Sequence, residues 1–214
     1  MFRADTQIPI APPAGALPGR GTLDIRLDDS LAPPGCSAYY ALSPVPNLRQ
    51  QIDYVNSPEV VSTDLLGTTH PIISAPMAGV AGGRLAHAVS AAGGLGMIGA
   101  RGTSSPEWIA EQAAIAGEGA TPFGIGLMAW VPQLDEQIDV ITSLTGLSRP
   151  KLVSVSFGDL VEPVRRLHEW GLLVACQVGN AADLEQVIEA RADVIVARGG
   201  EGGGHGRDEV ATDD

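Results

Sequence analysis

The chain has 214 residues, 44% of them hydrophobic, and a formal net charge of −12. This apolar fraction excludes a wholly disordered chain, because such chains cannot bury enough apolar surface to form a core. The 13 basic residues are scattered along an acidic chain, which argues against nucleic-acid binding through phosphate contacts. No apolar run approaches the roughly 20 residues that span a bilayer. We therefore expect a soluble cytoplasmic protein of one domain plus a tail, with neither nucleic acid nor a membrane as partner.

Prolines mark off the beginning of the chain. Nine of the 16 prolines fall within residues 1–62, where they favour extended backbone because proline fixes φ and restrains the preceding residue. The alternating polarity of Leu23–Leu27 predicts a single edge strand. We therefore expect residues 1–62 to form a Pro-rich arm, extended or partly disordered, in front of a folded domain at residues 63–214.

From residue 63 onward, strands and helices alternate. Mostly continuous apolar runs are typical of parallel strands covered on both faces, and six such runs occur, at Pro71–Pro76, Leu95–Gly99, Phe123–Met128, Leu152–Phe157, Leu172–Gln177 and Asp193–Ala197. This α/β pattern fits either a TIM (β/α)8-type barrel or an open doubly wound sheet. A barrel needs eight strands, so under that interpretation the domain has about six βα units and is incomplete at its C-terminal end.

Helices are predicted in the gaps between these strands. One opens at Ser104-Ser105-Pro106-Glu107, where Ser and Glu have the capping-box spacing and proline occupies the first turn. Another should follow Asn180, whose side chain is a common N-cap. Apolar positions with helical spacing predict the remaining helices, within Leu85–Ser90, Leu134–Leu144 and Leu160–His168.

The segment 198–206 carries the strongest chemical signal. It consists mostly of glycine around one histidine, His205, and an ordinary turn needs only one or two glycines. Such a loop lets backbone N–H groups converge on an anion or a ring atom, and histidine titrates near neutral pH and can act as a general base. The competing interpretation is a disordered glycine loop with a surface histidine.

Two further segments lie where strands end. Small residues after the strand Pro71–Pro76 permit close approach to a flat ligand, although a tight turn explains them equally well. Gln177 ends another predicted strand, where its amide can address a ligand. Its neighbour Cys176 should be buried and point away from Gln177, and with Cys36 it matches neither a disulfide framework nor a metal site. The glycines of Ala91–Gly99 include no G-x-G-x-x-G pattern, which excludes a Rossmann site.

Taken in order, these segments resemble the nitronate monooxygenase family, formerly called 2-nitropropane dioxygenase. The similarity extends from Thr63 to Arg207 and rests on seven segments, Leu65-Leu66-Gly67, Pro71–Val80, Ala91–Gly96, Phe123-Gly124-Ile125, Val153–Gly158, Gln177-Val178-Gly179 and Glu201–His205. The resemblance implies a TIM-barrel flavoenzyme that holds FMN over the C-terminal ends of its strands and oxidises alkyl nitronates with molecular oxygen. The chain differs from the family pattern at three positions, having Ser74 for Gln, Gly126 for Asn and Arg198 for Gln.

The resemblance also implies roles for individual residues. His205 matches the family's catalytic histidine, which acts as a base toward a neutral nitroalkane or orients the nitronate. The positions expected to bind FMN are Ala75, Pro76, Met77, Gly126, Gln177, Arg198, Gly203 and Gly204. The substrate would be a small nitronate or nitroalkane with O2 as co-substrate, and a homo-oligomer is possible.

Three alternatives to a nitronate monooxygenase stay open. One is an FMN-dependent enoyl-acyl carrier protein reductase, which shares the fold but needs a nicotinamide site and an acyl channel. An IMP dehydrogenase-like barrel is disfavoured, since no loop carrying a catalytic cysteine is visible. The third is a non-enzymatic barrel fragment that does not hold flavin.

Overall fold

The computed structural model describes residues 62–198 and two short strands that precede them, β1 (Ile8–Pro9) and β2 (Thr22–Leu23). These two strands pair antiparallel, with Ile8 opposite Leu23. The edge strand predicted at Leu23–Leu27 overlaps β2 at Leu23 alone. The rest of the predicted Pro-rich arm lies outside the described residues, and its conformation stays a prediction.

A five-stranded parallel sheet forms the centre of the described domain. Its strands are β3 (Gly96–Gly99), β4 (Phe123–Met128), β5 (Leu152–Ser156), β6 (Leu173–Val178) and β7 (Val194–Ala197). They lie side by side in chain order, β3-β4-β5-β6-β7. A doubly wound sheet reverses its strand order at a switch point, and the order described here does not reverse. The domain is therefore of the TIM-barrel type, as predicted.

Six α-helices accompany the sheet within residues 62–198. They are α1 (Ser62–Leu66), α2 (Gly83–Ala91), α3 (Pro106–Ala116), α4 (Leu134–Ser143), α5 (Val161–Glu169) and α6 (Ala181–Ala190), and single 3-10 turns occupy Glu118–Ala120 and Gly146–Ser148. Side-chain caps define the N-termini of two of these helices. The backbone N–H of Trp108 donates to Ser105 Oγ at 3.2 Å, and that of Asp183 donates to Asn180 Oδ1 at 3.0 Å. The cap of α3 is therefore Ser105, one residue after the Ser104 that the capping-box spacing to Glu107 predicts, while Pro106 lies in the first turn as predicted.

The first predicted strand, Pro71–Pro76, is wrong as a full strand. Only Ile73 forms a bridge, parallel to Leu95, with Leu95 N–H donating to Ile72 and Ser74 N–H donating to Leu95. The next ladder step needs a backbone donor at Pro76, which proline lacks. The N–H of Met97 instead donates to Ser74 Oγ at 2.9 Å. The segment thus follows the sheet edge but leaves the ladder after one bridge.

The sheet is buried on both faces, and its residues alternate between them. One face packs against the helices and contributes Ile98, Ile125, Val153, Val155, Val174 and Cys176 to a large apolar cluster. The opposite, inner face forms a second cluster with Leu95, Met97, Leu152, Ala175, Val194 and Val196. Burial on both sides explains why the strands read as continuous apolar runs rather than alternating ones.

The short helix α1 closes the N-terminal end of the inner face. Leu66, at its end, is 1% exposed and belongs to the inner cluster with Leu95 and Met97. The sequence analysis did not predict this helix. A five-residue helix is too short for a clear apolar period, so its position depends on the packing of Leu66 rather than on a local pattern.

Candidate functional site

The inner face changes character along its strands. Toward the N-terminal ends it carries the large apolar side chains of the inner cluster. By the same alternation, the inner positions toward the C-terminal ends are mostly small or polar, with Met128 at the end of β4 as the exception. The small or polar residues are Gly99, Gly126, Ser156, Gln177 and Arg198. The resulting C-terminal recess, defined by these five residues, lies where parallel α/β folds place their ligands.

One side of the C-terminal recess is built by the segment that follows the Ile73 bridge. A Cβ on Gly126 would lie 2.3 Å from Pro76 Cβ, and a Cβ on Gly99 would lie 2.4 Å from the backbone carbonyl of Met77. Both glycines are therefore required for this segment to lie so close to β3 and β4. Three predicted site residues, Pro76, Met77 and Gly126, thus come together, and Met77 stays 44% exposed.

The other side of the recess opens into a cavity of about 220 Å³. Gln177 and Arg198, both predicted site residues, line this cavity together with Trp130, Phe157, Gly158, Leu160, Val178, Gly179, Asp183 and Gln186. Pro76, Met77 and Gly126 do not line it. The structure therefore places the predicted residues in two groups, one on each side of the recess.

Two aromatic residues of this cavity were missed by sequence reasoning. The rings of Trp130 and Phe157 stack, with centroids 4.7 Å apart and planes 25° from parallel. Trp130 is about half exposed and offers an apolar surface to the cavity. A signal was present, because Trp130 closely follows one predicted strand and Phe157 ends another, in a chain with only three Trp and three Phe.

The turn after β5 is strained. Phe157 has φ of +66° and Gly158 has φ of +125°, and a bulky residue in the left-handed region is uncommon because its Cβ crowds the backbone. The amide of Gln186 on α6 donates to the Gly158 carbonyl at 3.2 Å, and the Trp130 stack holds the Phe157 ring. Strain held in place by its surroundings is concentrated at ligand sites in proteins.

Ser156, the last residue of β5, was also missed by sequence reasoning. It is 2% exposed, and its Oγ has no hydrogen-bond partner among the described residues. Buried hydroxyl groups are normally paired, because desolvating one without a partner costs about 1–3 kcal/mol. No local pattern in the sequence distinguishes Ser156 from Ser154, two residues earlier on the same face.

The turn after Gln177 is held by its own side chains. Asp183 Oδ2 accepts the N–H of Gly179 at 2.9 Å, and Asn180 caps α6. Cys176 is buried in the helix-facing cluster, as predicted. Desolvation, reinforced by the charge of Asp193, raises the pKa of the Cys176 thiol to about 12. This thiol is therefore neutral at physiological pH and is no nucleophile of the recess.

The predicted site residues Gly203, Gly204 and His205 lie outside the described residues. Among histidines that the structure does describe, the ring of His168 contacts Asp193 Oδ2 at 2.9 Å. That carboxylate also accepts the N–H of Val174 at 2.8 Å, so His168 links α5 to the sheet. Within residues 62–198, no group of three or more His, Cys, Asp or Glu side chains is placed to hold a metal ion. No helix in this range is long and apolar enough to cross a membrane.

A parallel sheet in chain order, with a small, polar recess at its C-terminal edge, defines a TIM-barrel protein with a ligand site at the usual end. The family model for nitronate monooxygenase matches residues 59–214, and the chain belongs to this family. This confirms the family predicted from the sequence motifs.

Individual relatives span two kinds of named enzyme. The chain is 32% identical over 178 aligned positions to a nitronate monooxygenase of Pseudomonas aeruginosa, covering 67% of this chain and 51% of that protein. It is 29% identical over 143 residues to a Mycobacterium tuberculosis protein named as a dehydrogenase of an indene-carboxyl-CoA compound, covering 67% and 39% of the two chains.

Solved structures agree with the fold. FabK from Thermotoga maritima superposes with a TM-score of 0.63 at 31% identity, covering 70% of this chain and 47% of that one. The chain thus spans about half the length or less of these relatives.

Proposed function

We propose that this chain is the FMN-binding part of an oxidoreductase that oxidises alkyl nitronates with molecular oxygen. The observation that carries the proposal is the C-terminal recess. Its floor loses its large side chains where the strands end, while Gln177 and Arg198 offer polar groups beside it. Membership of the nitronate monooxygenase family supports the same interpretation.

The residues of the recess fit a flat, polar cofactor. Gly99 and Gly126 let the segment at Pro76 and Met77 pack directly on the sheet, where it forms one side of the recess. Pro76 and the half-exposed Met77 supply apolar surface for one face of a ring system. Burial on both sides of the sheet makes this floor rigid, and a rigid floor lowers the cost of binding.

On this proposal, Ala75, Pro76, Met77 and Gly126 lie against the flavin ring, while Gln177 and Arg198 address its polar edge. Gly203 and Gly204 follow β7 in the chain and contribute backbone N–H groups. Arg198 can donate to two electronegative atoms at once because its guanidinium is a planar fork. The chemistry that FMN supplies when bound is the transfer of electrons from the substrate to oxygen.

His205 is proposed as the residue that handles the proton. A neutral nitroalkane must lose a proton from the carbon beside its nitro group, and an imidazole near neutral pH is suited to accept it. A preformed nitronate has already lost this proton, so it needs only to be oriented. Because glycine has no side chain, the glycines that flank His205 in the sequence would leave room for a substrate beside the ring.

Two measurements test the proposal. The purified chain, titrated with FMN, should quench flavin fluorescence and retain a yellow absorbance after desalting. The loaded protein should then consume oxygen when 2-propyl nitronate is added. A chain that stays colourless at every FMN concentration contradicts the proposal and supports the non-enzymatic fragment instead.

A second candidate function is oxidation or reduction of a thioester-linked acyl group. The similarity to a CoA-thioester dehydrogenase of Mycobacterium tuberculosis favours it, and the enoyl-acyl carrier protein reductase predicted as an alternative belongs to the same chemistry. Replacing the nitronate by an acyl-CoA, with NAD(P)H in reductive assays, distinguishes the two. Flavin-dependent turnover of the thioester without nitronate oxidation favours this second candidate.

A further inference from the structure

Ser156 holds an unpaired, buried hydroxyl at the C-terminal recess. The side chain is 2% exposed, and no described residue pairs with its Oγ. A buried hydroxyl retained without a partner costs stability and therefore indicates a missing hydrogen-bonding group.

The strand geometry places this hydroxyl on the inner face. Val155 packs with the helix-facing cluster, whereas Leu152 belongs to the inner cluster, so the alternation turns Ser154 and Ser156 inward. Ser156 pairs in register with Met128 and ends β5. In strand order it lies between β4, which carries Gly126, and β6, which carries Gln177.

The neighbouring strand cannot supply a polar side chain at this point. Gly126 has none, and the space beside its Cα is filled by the Pro76 ring, whose Cβ and Cγ would lie 2.3 and 2.7 Å from an added Cβ. Met128, the other inner position of β4 at this edge, is apolar. β4 thus offers the Ser156 hydroxyl no polar side chain on the inner face at this edge.

The turn that follows fixes this position. Phe157 adopts φ of +66° and is held by its stack on Trp130, while Gln186 holds the carbonyl of Gly158. The backbone of Ser156 is therefore held on both sides, by the sheet before it and by this turn after it. The hydroxyl itself stays adjustable, since serine has a single χ1 torsion with three staggered positions.

We infer that the Ser156 hydroxyl hydrogen-bonds a polar ring atom of FMN bound in the C-terminal recess. This inference rests on the proposed function. It makes Ser156 a cofactor-contact residue, and it explains why a hydroxyl unpaired in the protein alone is kept at the end of β5. Ser90 is also a buried serine, but its Oγ accepts the N–H of Gly96 at the start of β3, at the opposite end of the strands.

The test compares Ser156→Ala with the control Ser90→Ala, a second buried serine, in the whole chain. Flavin fluorescence titration gives the FMN dissociation constant, and urea unfolding without FMN gives the stability of each variant. Loss of one hydrogen bond should raise the dissociation constant of Ser156→Ala about three- to tenfold. Its stability without FMN should not fall, because the deleted hydroxyl has no partner. Ser90→Ala should lose stability, because it removes the hydrogen bond from Gly96, but it should bind FMN like the wild type.

Each result has a definite meaning. Unchanged FMN affinity in Ser156→Ala, with the wild type binding FMN, overturns this inference alone and indicates that a buried water satisfies the hydroxyl. Equal weakening in both serine variants also overturns it, because a general packing effect then accounts for the loss. A wild-type chain that binds no FMN overturns the proposed function together with this inference. A changed visible absorption band of flavin bound to Ser156→Ala, absent from Ser90→Ala, supports direct contact.

Discussion

The two ends of the inner face serve different purposes. At the N-terminal end, Leu66, Leu95 and Leu152 form a closed apolar cluster. At the C-terminal end, the same strands present Gly99 and Gly126 beside polar side chains. The strands are continuous, so the difference lies in side chains alone. Stability and ligand binding can therefore be altered separately, by mutations a few residues apart on one strand.

The largest expected effect concerns His205, which follows β7 in the sequence. His205→Asn keeps a polar group but removes the base, so turnover of neutral nitroalkanes should fall by about 10²–10⁴-fold. Turnover of preformed nitronates should change far less, with FMN still bound. Oxygen consumption with a neutral nitroalkane and with a preformed nitronate gives the ratio of the two turnover rates. His70→Asn, an exposed histidine in a turn away from the recess, serves as the control.

Equal losses on the two substrates would assign His205 to binding rather than proton transfer. Unchanged rates on both would remove it from the mechanism.

At the structural end, Leu152→Ala should cost about 2–5 kcal/mol of unfolding free energy, because Leu152 is 1% exposed and its loss leaves a cavity. Gln177→Ala, at the other end of the inner face, should change stability by no more than about 0.5–1 kcal/mol. Urea denaturation of both variants measures the contrast. If Gln177→Ala proves as destabilising as Leu152→Ala, the two ends do not differ in the way described.

Gly126→Ala probes the boundary between the two ends. Its added Cβ would collide with the Pro76 ring, which should cost about 1–3 kcal/mol. Pro76→Gly removes the colliding atoms, so Gly126→Ala should cost less in that background. A double-mutant cycle measured by urea denaturation gives the coupling energy. Additive effects would show that Pro76 is not what the added methyl group meets.

The smallest expected effect concerns the helix-facing side of β6. The folded pKa of Cys176 is about 12, above its ordinary value of 9.0, so the unfolded chain loses this proton first as pH rises. Stability should therefore be unaffected below about pH 9 and fall above it, by about 1 kcal/mol near pH 10. The unfolding free energy of Cys176→Val should not show this fall above pH 9 when urea denaturation is measured as a function of pH. An identical decline in both proteins would contradict the raised pKa.

Much of the fold followed from sequence. Five of the six predicted strands lie within one residue of the observed ones, because strands buried on both faces leave continuous apolar runs between helical patterns. The first predicted strand failed since a hydrogen-bond ladder requires donors, and Pro76 has none. The short α1 was missed because only its contact with the inner cluster defines it.

The candidate site followed from sequence only in part. The family resemblance predicts Pro76, Met77, Gly126, Gln177 and Arg198 as site residues. The structure places each at the recess or its edge, and their role in binding stays a prediction. Ser156 and the Trp130–Phe157 stack were not identified. Their significance depends on which face a residue occupies and on which strands are neighbours, and neither property is visible in a local pattern.

The order of the strands has a consequence for synthesis. Each strand from β4 to β7 pairs with the strand translated immediately before it, so every new pairing involves a partner that has already left the ribosome. Such sequential pairing keeps loop closures short, which favours rapid folding. A growing chain can therefore add each βα unit to a sheet already formed, and the apolar edge that awaits the next strand is exposed only until that strand is made.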